Sequence, residues 1–205
     1  MAKLYYKYGA MGSSKTANAL MTRFNYMEKG ATVWLIKPET DTRDDYNDEN
    51  GNRVTVVKSR IGLSAVADVI KQSENICNAL AFKKKTSVVD AIICDECQFL
   101  TEEQVEQLKY IAEYDNIPVL CFGLRSDFRT KLFPGSARLF ELADSISEVK
   151  SVCKCGKKAI VNARFGSDGQ VVTEGAQVEI GGNEKYESMC WKCWQELIEN
   201  GKTRK

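Results

Sequence analysis

Residues 4–24 restrict the fold more than any other stretch of the chain. Leu4–Tyr8 reads as a strand and Gly9–Ser14 as a turn of small residues. From Lys15 to about Met27, Ala17, Leu20, Met21 and Phe24 recur at helical spacing. A strand running through such a turn into a helix gathers backbone N–H groups at one point and adds the positive end of the helix dipole. The turn reads Gly9-Ala10-Met11-Gly12-Ser13-Ser14-Lys15-Thr16 and departs from the phosphate-binding loop pattern only at Ser14, where the pattern has glycine. In that pattern Lys15 neutralises phosphate charge and the Thr16 hydroxyl ligates Mg²⁺. The plainer alternative is a corner in which glycine and serine merely make the turn.

The first 150 residues continue in the same alternation. Thr32–Ile36 is a β-branched run, Val88–Cys94 and Ile117–Gly123 are continuous apolar runs, and Val54–Val57 is a further short strand candidate. Ser64–Ile70, Thr101–Tyr114 and Ser136–Ala143 read as helices, the second opened by a capping box from Thr101 to Gln104. A polar, acidic loop occupies Thr40 to Asn52. Apolar strands alternating with helices predict an α/β fold of the P-loop NTPase type, a mainly parallel sheet with helices on both faces. From Ser151 the texture changes to short β-like runs, Ala159–Phe165, Gln170–Thr173 and Gln177–Ile180, followed by an amphipathic Trp191–Glu199. The division expected is a nucleotide-binding domain over 1–150 and a small β domain over 151–205.

A phosphate loop calls for a carboxylate at a neighbouring strand end, and Val88–Cys94 runs into Asp95-Glu96. Asp95 is the candidate Mg²⁺ ligand beside Thr16, and Glu96 the candidate general base. Asp95 read alone would also serve as a cap for the following turn. Arg43 and Arg60 are candidates for stabilising a transferring phosphoryl group; an arginine in a polar loop is otherwise simply solvated. The 205 residues include no histidine, which excludes Ser-His and Cys-His nucleophile pairs and imidazole bases. A net charge of +1 speaks against a broad basic surface for nucleic acid or for an acidic membrane. No run approaches the roughly 20 apolar residues of a membrane span, and the first eight residues are too polar for a secretory signal.

Cys153-Lys-Cys155 and Cys190-Trp-Lys-Cys193 are two tight pairs, the pattern of a closed structural Zn²⁺ site. Disulfides, a redox pair at Cys190 and iron–sulfur ligation are the alternatives. Gly156 eases the tight first corner, and Lys154, Lys157, Lys158 and Lys192 offset thiolate charge. Cys77, Cys94, Cys97 and Cys121 lie in apolar or helical contexts and read as core. This usage points to a reduced, cytoplasmic protein.

Gly9–Thr16, Asp95-Glu-Cys-Gln-Phe99, Gly123-Leu-Arg-Ser-Asp-Phe128, Phe133-Pro-Gly-Ser136 and Gly181-Gly-Asn-Glu-Lys-Tyr186 together resemble the cytosolic-type (type II) thymidine kinase family, in the manner of its bacterial members. The resemblance implies transfer of the ATP γ-phosphate to the thymidine 5′-hydroxyl. It also implies a P-loop core, a small zinc domain and a lasso loop over the nucleoside, in a homotetramer inhibited by thymidine triphosphate. Carried over by motif, Gly9, Ala10, Met11, Gly12, Ser13, Ser14, Lys15, Thr16, Arg43, Arg60, Asp95, Glu96, Cys97 and Gln98 would form the ATP site. Asp41 matches the acid of the family's Asp-x-Arg. Thr16 and Asp95 would serve Mg²⁺, and Glu96 would take the 5′-hydroxyl proton. Phe99, Phe128, Val178, Glu179, Ile180, Gly181, Gly182 and Tyr186 would enclose thymidine, and Cys153, Cys155, Cys190 and Cys193 would hold zinc. The rival reading is a nucleic-acid-stimulated P-loop ATPase with a zinc-ribbon module, which would hydrolyse ATP without nucleoside.

Overall fold

The structure, a computed structural model, describes residues 1–178 and 185–200. Six strands, β1 (Leu4–Tyr8), β2 (Val33–Pro38), β3 (Asp68–Ile70), β4 (Ala91–Cys94), β5 (Val119–Gly123) and β6 (Ser145–Glu148), form one sheet. Their order is β6-β1-β5-β4-β2-β3, and every neighbouring pair is parallel. The helices are α1 (Lys15–Glu28), α2 (Ile76–Lys83), α3 (Glu102–Tyr114), α4 (Pro134–Leu142) and α5 (Trp191–Glu199).

Side chains alternate across a strand, so each run of apolar residues supplies two cores. Leu4, Tyr6, Trp34, Ile36, Ile92, Cys94, Val119 and Cys121 pack with residues of α2, α3 and α4 on one face. Leu35, Ile93, Leu120 and Phe122 pack on the other against Ala19 and Leu20 of α1 and against Val57 and Ala67. Burial on both faces is what a continuous apolar strand requires, and the fold is α/β with a mainly parallel sheet. The Thr101 capping box forms as read, the hydroxyl accepting from Gln104 N and the Gln104 side chain from Thr101 N.

Ser64–Ile70, expected as a helix, forms two short strands instead. Ser64–Val66 pairs antiparallel with Val56–Lys58, and Asp68–Ile70 is the edge strand β3. Ala65, Ala67 and Val69 turn inward while Ser64, Val66 and Asp68 are exposed, a period of two that the helix preference of alanine obscures. Helix α2, capped by the Asn75 side chain accepting from Asn78 N, and the exposed strand β6 were not anticipated.

Beyond β6 the chain builds a second, antiparallel sheet. Strand β7 (Val161–Phe165) lies between β8 (Val171–Val172) and β9 (Tyr186–Met189). Val161, Ala163 and Phe165 join Met189 and Trp194 in a separate apolar cluster. The intervening Asn162 and Arg164 are buried as well, and they reach the loops of the first sheet. Gln177 and Val178 are not in a strand, and Glu179, Ile180, Gly181 and Gly182 lie outside the described residues.

Candidate active site

In an open parallel sheet, loops at the carboxyl ends of the strands converge where the strand order reverses. Here those are the loops after β1, β4 and β5. Gly9 has no room for a side chain, since a Cβ would lie 2.3 Å from the Val149 carbonyl oxygen and 2.5 Å from Ser13 Oγ. Ser14, the one departure from the loop pattern, has φ 62° and ψ 27°, a left-handed conformation that favours glycine. Lys15 is buried, and its Nζ donates to the Ala10 carbonyl at 2.8 Å and to Ser13 Oγ at 3.4 Å. Burial pushes the lysine below its ordinary pKa, while the charges of Glu96 and Asp95 pull it back up. Met11, Gly12, Ser14, Lys15, Thr16, Arg43, Arg60 and Glu96 line one cavity. Arg60 stands close over the loop, with Nη1 3.6 Å from where a Gly12 Cβ would be.

Asp95 follows β4 and is buried. Burial and then the charge of Glu96 hold its pKa well above the ordinary carboxylate value, against a hydrogen bond from the Thr16 side chain. A hydroxyl and a carboxylate side by side are hard oxygen donors, and they fit Mg²⁺. Glu96 takes φ 52°, a left-handed turn that redirects the chain after the strand. Its Oε1 accepts from Arg43 Nη2, and its Oε2 accepts from Gln98 Nε2 at 2.6 Å. Gln98 is braced in turn, its Oε1 accepting from Leu124 N at 2.9 Å. Behind Arg43, Nε donates to Asp41 Oδ1 at 2.6 Å, and Asp41 pairs with the fully buried Lys37.

A second cavity opens on the other side of Glu96, with Phe99, Phe128, Phe133, Asn162, Val178 and Tyr186 in its wall. Phe99 and Phe133 meet edge to face with ring centroids 5.7 Å apart. One face of Phe128 is capped by the Arg164 guanidinium, 3.7 Å from the ring centroid. Met11, Arg43, Glu96 and Leu124 belong to both cavities, so the two meet at the Glu96 carboxylate.

Of the residues singled out from sequence, Gly9, Ala10 and Ser13 shape the loop without lining its cavity. Cys97 is fully buried in the core, packed so closely under β5 that a Gly123 Cβ would lie 2.6 Å from its Sγ. Leu124, Asp127 and Phe133, which enter the sequence reading only as members of motifs, line the aromatic cavity together with Asn162 and Gln177, for which no site role is expected. For Asn162 a signal existed: Val-Asn-Ala-Arg-Phe alternates apolar and polar, so its polar side chains share one face.

The four paired cysteines come together, their Sγ atoms all within 4.8 Å of one another. In a tetrahedral thiolate site with Zn–S near 2.3 Å the sulfurs stand about 3.8 Å apart, and Cys155 Sγ lies 3.5 Å from Cys190 Sγ. Gly156, at φ +84°, closes the first corner, and Cys190 caps α5, accepting from Cys193 N at 3.5 Å. All four are free thiols in the structure. The cluster fits a metal such as zinc.

The thymidine kinase family matches residues 2–194. The chain is 44% identical over 206 residues to a thymidine kinase of Photorhabdus laumondii, covering 100% of this chain and 98% of that protein. It is 44% identical over 191 residues to one of Legionella pneumophila, covering 93% and 88%. To the thymidine kinase of Enterobacteria phage T4 it is 43% identical over 197 residues, covering 96% and 97%. On the phosphate loop, the acidic strand end, the aromatic cavity and these matches along its length, the chain belongs to the thymidine kinase family.

Proposed function

We propose that the chain transfers the γ-phosphate of ATP to the 5′-hydroxyl of thymidine, giving thymidine monophosphate and ADP. The observation that carries this reading is the meeting of the two cavities at Glu96 and Arg43. A planar base enters the aromatic cavity between Phe99, Phe128 and Tyr186, and the triphosphate lies along the loop 9–16. Glu96 Oε1 takes the 5′-hydroxyl proton as that oxygen bonds to the γ-phosphorus, and the bond from the γ-phosphorus to the β-bridging oxygen breaks. Arg43, now beside Glu96, moves its charge onto the transferring group, with Lys15 and Arg60 on the remaining phosphate oxygens. Thr16 and Asp95 would hold Mg²⁺, which neutralises phosphate charge when bound. Gln98 keeps the carboxylate aimed.

The finer features follow the same logic. Thymidine triphosphate would span both cavities at once, which suits an end-product inhibitor. Met21, Phe24 and Met27 are exposed at three-residue spacing on α1, and a homotetramer would cover such an apolar stripe; sedimentation equilibrium that finds a monomer at micromolar concentration removes the tetramer. Separate apolar clusters support the division at residue 150. The metal at the four thiols is zinc, and four free thiols suit the reducing cytoplasm. Among the described residues no helix is long and apolar enough to cross a membrane.

The test is ADP release with a panel of nucleosides. Thymidine-dependent turnover should fall about a thousandfold in Glu96→Gln, with ADP binding retained. Near-normal turnover in that variant overturns the base assignment, and hydrolysis driven by nucleic acid without nucleoside overturns the substrate.

A further inference from the structure

The phosphate loop is attached to more than its own strand and helix. Asn162, in the middle strand of the C-terminal sheet and 3% exposed, accepts at Oδ1 from the Met11 backbone N–H at 2.7 Å. Its Nδ2 donates to the Ser126 carbonyl at 2.9 Å. One end of the amide accepts from an N–H and the other donates to a C=O, so the side chain has a single satisfying orientation.

The consequence lies in the peptide unit between Ala10 and Met11. Its N–H is the one held by Asn162, and its C=O is the one that receives Lys15 Nζ at 2.8 Å and Ser13 N at 3.3 Å. A peptide unit is planar, so fixing the N–H fixes the direction of the C=O. The second bond reaches the turn after β5, where Leu124 N is the donor that holds Gln98, and Gln98 holds Glu96. Asn162 thus bridges the segment that aims the lysine and the segment that aims the carboxylate.

We propose that Asn162 is a positioning residue: through the 10–11 peptide it sets the phosphate loop and Lys15, in register with the Gln98–Glu96 side of the site. This rests on the reading of residues 9–16 as the ATP phosphate site. The alternation of β7 makes the arrangement available, because Val161 and Ala163 anchor the strand in its own cluster while the residue between them points the other way.

Asn162→Leu keeps the shape of the side chain and removes both bonds. The variant, with its metal content and thermal midpoint checked, should bind ADP about tenfold more weakly. Amide exchange at Met11 should quicken by a similar factor or more, while exchange in β8 and β9 stays as in the wild type. ADP affinity and Met11 exchange both within twofold of wild type would overturn the proposal. So would a loss confined to thymidine binding, which would make Asn162 a nucleoside contact. Should Asn162→Leu fail to fold, Asn162→Ser, too short to bridge, gives the same readouts. Wild-type exchange at Met11 decides independently: an amide exchanging at the unprotected rate sinks the proposal. Failure of the wild-type protein to bind ADP at all would instead overturn the phosphate-site reading.

Discussion

Two residues at the site hold backbones that side chains disfavour, and they differ in what the strain achieves. Ser14 has φ 62° and Glu96 φ 52°. For an L-residue this region costs about 1–2 kcal/mol. At Ser14 no side-chain cap to α1 offsets the cost. Ser14→Gly should raise stability to urea by about 1 kcal/mol and leave ADP binding intact; a loss of stability would show that the serine contributes a contact outweighing the strain. At Glu96 the same strain directs a carboxylate into the junction of two cavities, where relief would cost activity. The sequence marks Ser14 as a departure from pattern, but the sign of its effect depends on φ, which local composition does not encode.

The segment between β2 and β3 shows how a polar, acidic stretch becomes ordered. Lys37 is fully buried, and its Nζ lies 3.4 Å from Asp41 Oδ2, 2.9 Å from Asp45 Oδ1 and 2.9 Å from the Val56 carbonyl. Arg53 reaches Asp45 from the exposed side at 2.6 Å. Burial alone would raise both acids. For Asp41 the Arg43 hydrogen bond and the charges of Arg43 and Lys37 outweigh burial; for Asp45 the hydrogen bonds of Lys37, Arg53 and Val56 N do. Both therefore sit below the usual carboxylate value. Depressed folded values mean stability that is present above the unfolded value, about pH 4, and lost as the pH falls through the folded values. Lys37→Met should cost about 2–3 kcal/mol at pH 7, because it takes the shared cation from two buried carboxylates that then keep only Arg43 and Arg53, and the deficit should shrink below pH 4. Urea unfolding of both proteins across that range checks it, and a deficit independent of pH would overturn the account.

This stretch also shows where sequence reading ended. Apolar runs such as Ile117–Gly123 declare themselves because both faces are buried, and the Thr101 box because its partners are three residues apart. The β-branched run predicts an end to β2 at Ile36, yet the strand continues to Pro38, since a lysine does not announce that two acids downstream will bury it. The aromatic cavity is half legible: Phe99, Phe128 and Tyr186 carry their motifs, whereas Asn162 acts through bonds to residues distant in sequence, and Gln98, expected at the ATP site, braces Glu96 from the Leu124 turn instead.

At the scale of the molecule, two sheets with separate apolar clusters meet around one site. The purified protein should carry one zinc per chain, and metal analysis well below that would overturn the four-thiolate site. Stripping the metal with a chelator under reducing conditions should speed hydrogen exchange in β7–β9 first, while the six-stranded sheet keeps its protection. Simultaneous loosening of both sheets would overturn the division into two units.

The strand order has a consequence for how the protein comes into being. Strand β1 is made first, yet its two neighbours are β5, at Val119–Gly123, and β6, at Ser145–Glu148. A ribosome that has released only the first half of the chain has released the 9–16 loop with no sheet beneath it. Pairings this distant in sequence close slowly. Until they close, both edges of β1 stand open to the strands of other nascent chains, and the interval between synthesis and closure is when this chain is most exposed to aggregation.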